Sequence, residues 1–311
     1  MEDRKSLFIL IIAAIIHLVS GIWCQIGTSG YALFPEETAS FILAAAASIC
    51  IATISPAISH RISTSPKLCT AAVCLILLGA NPASLQFSTM HIAGVILNFS
   101  LLSLFFFLSG GSKPMSLFIA MLSLEAAAVF YAPLIWMVPA YAVTILFSSE
   151  NKIKAATGLI LTLLLPAAVY AGILMLTNGS KTILPEFSTL WSNASTIPLR
   201  DLHFSTATLV RISTVAIIAI SAVFDILFGR TPHTSKQRKA LSWTIFLTAY
   251  LTALVAVFYE GPGQPVAPMI SVLASILICE KFFCDCPAKG YKAIILCCAL
   301  IFTAERLYFI L

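Results

Sequence analysis

Charge is what this sequence has least of. Acidic and basic side chains make up only 10% of its 311 residues, against 59% apolar ones, and no water-soluble surface can be built from so few charges. The chain also lacks a glycine-rich phosphate loop, a Walker motif and a nucleophile elbow, which excludes ATP-driven work by this chain alone. It has no basic run interleaved with aromatics, so the net charge of +5 does not mark a nucleic-acid-binding protein. Five scattered histidines, at 17, 60, 91, 203 and 233, form no metal-binding motif. The nine cysteines include Cys279, Cys284 and Cys286, whose spacing lacks the paired C-x2-C of a zinc site. No metal and no cofactor is therefore expected.

What the sequence has instead is apolar runs. They cover 6–24, 39–59, 67–83, 91–109, 115–131, 133–149, 155–176, 205–228, 240–259, 265–281 and 292–311, and a spanning helix needs about 20 such residues. The expected fold is all-α: a polytopic transmembrane bundle of about eleven spans, or ten if one short run fails to cross, forming a single membrane domain over 1–311. The polar Met1–Lys5 precedes the apolar Ser6–Ser20 without a small-x-small cleavage pattern, so the first run reads as a retained span.

Orientation follows from the basic residues. With a cytoplasmic N-terminus and each run reversing the side, fourteen of the 18 lysines and arginines fall inside. Lys181 and Arg200 fall outside, and Arg211 and Arg306 fall within runs. That asymmetry is the positive-inside pattern of an inner (cytoplasmic) membrane protein with its C-terminus outside. The longest outer segment, Thr177–Phe204, carries Trp191, Pro185 and Pro198 and is expected to lie along the membrane interface.

Ionisable residues inside the runs are the first candidates for function, because hydrocarbon disfavours a charge by roughly 2.5–3.5 kcal/mol or more at mid-depth. Glu125, Arg211, Asp225, Glu305 and Arg306 qualify, with His17 as a neutral candidate. Glu125 and Arg211 each sit six residues from the outer end of their runs. Together with Glu305 and Arg306 they suit a substrate-binding cavity open to the outside, or alternatively a structural ion pair. Glu36 and Glu37, beside Pro35 in the first outer segment, suit a general base, or alternatively the acidic start of a helix.

One stretch has a recognisable layout. Lys113-Pro114-Met115, Ser123-Leu124-Glu125, Tyr131-Ala132-Pro133-Leu134, Val138-Pro139, Ala155-Ala156-Thr157-Gly158 and Leu165-Pro166 resemble the middle of membrane glycosyltransferases of the GT-C superfamily. There a small-residue helix is followed by a short proline-marked helix, a basic turn and another helix ending near proline. The resemblance implies a polyprenyl-phosphate sugar donor, an acidic base in the first outer loop (by position Glu36 or Glu37), and Arg211 or Arg306 at the lipid phosphate. The chain departs from that family in its short first outer loop and in having no aspartate after the first run. It also resembles bacterial inner-membrane proteins of similar length with no assigned activity, which share its basic turn at Arg230–Lys239. Three functions follow as expectations: a GT-C-like protein handling a lipid-linked substrate at the outer face, a non-catalytic membrane partner of an envelope or polysaccharide assembly system, and a small-solute or lipid transporter. Expected partners are the lipid bilayer, a polyprenyl-phosphate lipid and other membrane proteins.

Overall fold

In the computed structural model the described residues are 8, 11, 12, 15, 16, 19, 35–62, 67–80, 84, 86–109, 114–149, 151–178, 183–197, 216–220, 223–224, 226–228, 234–259, 261 and 264–283. Among them the chain is all-helical, without strands. All but one of the helices fall on the apolar runs, the exception being the helix at Ile183–Ser195: α1 is Pro35–Ile62, α2 Lys67–Ala80, α3 Thr89–Ser109 and α4 Pro114–Phe130. A 3-10 turn at Ala132–Trp136 leads into α5, Met137–Ser148, and then come α6, Lys152–Asn178, and α7, Ile183–Ser195. After the helical residues at 216–220, 223–224 and 226–228 follow α8, Ser235–Val257, and α9, Ala267–Phe283.

Among the described residues three helical stretches are long and apolar enough to cross a membrane: Ala39–Ile62, Thr89–Ser109 and Ser235–Val257. At 1.5 Å per residue each reaches the thickness of a hydrocarbon core of about 30 Å. These helices place the chain in a membrane. Apolar surface on the outside of the bundle agrees, for Ile160, Leu161, Leu164, Leu165 and Val169 on α6 are all more than half exposed. Such a face suits lipid and not water. Pro56 and Pro166 lie inside α1 and α6, as membrane helices tolerate where neighbouring groups take up the freed carbonyls.

The bundle is organised around α9. Every residue from Ser271 to Glu280 is buried, and α9 packs against α1, α2, α3 and α8. A helix enclosed on all sides has no amphipathic face to orient it, so its placement depends on close backbone approach and on hydrogen bonds. Gly94 of α3 supplies the approach. A Cβ built there would lie 2.7 Å from Pro268 Cβ and 2.9 Å from the Pro268 carbonyl oxygen. One turn on, Asn98 Nδ2 donates to Gly94 O at 2.8 Å and to Pro268 O at 2.9 Å, bridging the two helices.

A seam of small polar residues completes the interior. Ser55 meets Ser275 at 3.2 Å, Thr70 donates to Ser59 at 3.3 Å, and Cys74 Sγ donates to Ser271 at 3.6 Å. Ser275 donates its own proton to Val272 O at 2.7 Å, so Ser55 is the donor in their pair. On the other side of α3, Ser100 donates to Ala120 O at 2.6 Å, which leaves Tyr141 to donate to Ser100 at 3.0 Å and ties α3, α4 and α5 together. At the far end of α1, the Arg61 guanidinium lies over the Phe106 ring of α3, 4.2 Å from its centre.

Two glycines test this packing. Gly94→Ala forces α3 and α9 apart and is expected to destabilise the protein by about 1–3 kcal/mol. Gly172→Ala, in α6 with nothing within 4 Å of its added methyl, is expected to be neutral or to stabilise by up to about 1 kcal/mol. Thermal unfolding of the two variants in detergent checks both signs.

Candidate functional site

The best-described candidate region lies where α4 gives way to α5. Helix α4 ends at Phe130, Tyr131 is extended (φ −144°, ψ 92°), and Pro133 opens the 3-10 turn, where it costs no backbone hydrogen bond. Three side chains pin the turn. Tyr131 OH donates to Phe258 O at 3.3 Å and Tyr250 OH donates to Trp136 O at 2.7 Å, which together fix it to the end of α8. Trp136 Nε1 donates to Ala194 O at 2.9 Å, fixing it to α7. The step between the runs at 115–131 and 133–149 is thus a junction tied to α7 and α8.

Below that junction on α4 stands Glu125, about 9 Å along the helix axis from Tyr131. Leu124 beside it is fully buried, whereas Leu122 and Val129 are exposed, so Glu125 marks the border between the packed face and the outward face. One carboxylate oxygen, Oε1, is enclosed and has no hydrogen-bond partner among the described residues. An acceptor left bare in such surroundings costs about 1–3 kcal/mol. A neutral residue would avoid that cost, which makes Glu125 a candidate for use by a ligand.

The other candidates have different standing. Glu36 and Glu37 are in the first turn of α1, where acids complement the helix dipole; the segment they occupy is a helix start and not a free loop. His17, Arg211, Asp225, Glu305 and Arg306 lie outside the described residues, as do the last run and most of the first and the eighth. Among the described residues, no group of three histidine, cysteine or acidic side chains is placed to hold a metal ion.

The structure also brings forward residues the sequence reading passed over. His91, the third residue of α3, is fully buried. Its Nδ1 accepts from Ser88 N at 3.3 Å, so Nε2 carries the proton and donates to Ser84 O at 2.9 Å. Ser84 in turn donates to Leu78 O, so the histidine holds the connection between α2 and α3. Glu280, near the end of α9, is 3% exposed. The polar seam had a signal in the sequence: Ser48, Ser55 and Ser59 recur at helical spacing, as do Ser271, Ser275 and Cys279.

At the start of α8 an open cleft of about 470 Å³ is lined by Ser235, Arg238, Lys239 and Ser242. Thr234 and Gln237 close a capping box there. Cations at a helix N-terminus oppose the helix dipole. No family model, curated protein or solved structure matches this chain.

If Glu125 is unpartnered as described, Glu125→Leu removes a bare buried acceptor and is expected to stabilise the protein by about 1–3 kcal/mol. A fall in the unfolding midpoint of that variant would instead show that the carboxylate has a structural partner.

Proposed function

We propose that this chain is a multi-pass inner-membrane protein of about eleven spans, with its N-terminus cytoplasmic and its C-terminus outside, whose outer half handles a lipid-linked substrate. The charge asymmetry between alternate loops supports the orientation. The helices found on successive apolar runs support the layout.

The observation that carries the substrate reading is the Glu125 carboxylate, with one enclosed oxygen that no group among the described residues satisfies. In this reading it faces a cavity shared with Arg211, Glu305 and Arg306. The two carboxylates accept hydrogen bonds from the hydroxyl groups of a carried head group, and the arginines receive the phosphate of a polyprenyl-phosphate lipid, for which a guanidinium is well shaped. The GT-C-like order of helices from Lys113 to Pro166 is in keeping with such a substrate. If the protein is a transferase, Glu36 or Glu37 is the base. If it is a non-catalytic partner of an envelope or polysaccharide assembly system, the same cavity binds the lipid and those two acids only begin a helix. A transporter would need free polar groups near mid-depth; the hydroxyls of Ser55, Ser275 and Thr70 are engaged with neighbouring side chains or backbone, and the buried Ser48 hydroxyl of α1, without a partner among the described residues, is the group that favours this reading.

Mass spectrometry of lipids retained after mild detergent extraction tests the reading. The wild type is expected to carry a polyprenyl-phosphate species that falls about tenfold in Arg211→Ala and in Glu125→Gln. Glu36→Ala and Glu37→Ala keep the lipid in either case, and only a transferase loses turnover. Bulk phospholipid alone, unchanged by any variant, would end the lipid-substrate reading.

A further inference from the structure

We propose that α7 is an interfacial helix that docks on the bilayer surface beside the α4–α5 junction, with Trp191 and Ile197 seated in the headgroup boundary. Several observations lead there. The sequence of α7 is apolar at 183, 187, 190 and 194, a 3.6-residue period, and is interrupted by serine, threonine and asparagine between them. At 13 residues α7 is too short to cross a membrane. Ala194 is its buried contact, and the Trp136 indole is bonded to the Ala194 carbonyl, so the helix is held against the bundle.

The apolar surface of α7 does not end at that contact. Trp191 packs its ring against Trp136, centre to centre 5.7 Å, yet remains 59% exposed, and Ile197 just past the helix is equally exposed. Exposed apolar side chains also run along α6, from Ile153 through Ile160, Leu164 and Val169 to Leu176. Met175 and Leu176, in its last turn, are 56% and 89% exposed, which brings the hydrocarbon boundary level with the end of α6, five residues before α7 begins.

Charge decides which surface α7 meets. Its 13 residues contain no lysine or arginine and a single acid, Glu186, so attraction to anionic headgroups is not what holds it. Insertion of apolar and aromatic groups is, and an indole suits the depth where one edge is wet and the other apolar. Anchored in this way, α7 fixes the level of the 3-10 turn and hence of Glu125 beneath it. The inference needs only the membrane location of the bundle, so its failure and the failure of the lipid-substrate reading are separate results.

The test uses the full-length protein in vesicles, comparing the wild type with Trp191→Phe so that the difference in fluorescence is that of Trp191. Phospholipids brominated near the top of the acyl chain are expected to quench this component about twofold or more, with little effect from aqueous iodide. Quenching by iodide and not by brominated lipid would overturn the proposal by placing α7 in water. Quenching by neither would overturn it as well, because Trp191 would then be covered by protein. Phenylalanine at an exposed site preserves the fold, and a circular dichroism spectrum matching the wild type verifies that.

Discussion

The contact on which the bundle depends is the meeting of α3 and α9 at Gly94, Pro268 and Asn98. In hydrocarbon every helix surface is equally at home against lipid or against another apolar helix, so burial of apolar area does little to choose partners. Shape and hydrogen bonding choose them instead. A missing Cβ at Gly94 lets the Pro268 backbone come to van der Waals distance, and the Asn98 amide then spans both helices with its two donor bonds. With α9 fixed in this way, α1 and α2 close around it through Ser55, Ser275, Cys74 and Ser271.

Against that background the two kinds of interior polar group differ in meaning. The hydroxyls of the seam mostly satisfy one another or a carbonyl, and they serve as interhelical glue at a cost well below that of a charge. Glu125 is the opposite case: an ionisable group at the edge of the packed face of α4, with one enclosed oxygen unmatched. It stands beneath a junction that is tied to α7 and to the end of α8 through Tyr131, Trp136 and Tyr250. A stiff frame above an unmatched carboxylate is the arrangement expected where a ligand completes the hydrogen bonding.

The helices were legible in the sequence because a membrane run is a signal of length as well as type. Thr89–Ser109 and Lys67–Ala80 lie within three residues of the runs at 91–109 and 67–83. The chain break at Tyr131-Ala132-Pro133 was legible because proline restricts the residue before it. Helix α7 was not foreseen as a helix: its segment mixes polar and apolar residues, and only the 3.6-residue period of its apolar positions distinguishes it from a loop. The role of Gly94 was hidden for a different reason. Nothing local marks which of several glycines touches a helix 174 residues away. Of the candidate site, Glu125 was visible as a charge in an apolar run, but its lack of a hydrogen-bond partner is a property of its neighbours. The acids Glu36 and Glu37 could be read either way, and their place in the first turn of α1 follows from Pro35 and the helix dipole.

The account as a whole requires α6 to cross the membrane and to deliver α7 to the outer surface. Cysteines placed at Lys152 and at Thr196, both exposed positions at opposite ends of the α6–α7 unit, measure this directly when an impermeant maleimide is applied to intact and then to permeabilised cells. The label added over the parent protein is expected at Thr196→Cys in intact cells and at Lys152→Cys only after permeabilisation. Labelling of both positions from the same side would contradict the crossing, and with it the place assigned to Glu125 in the outer half of the bundle.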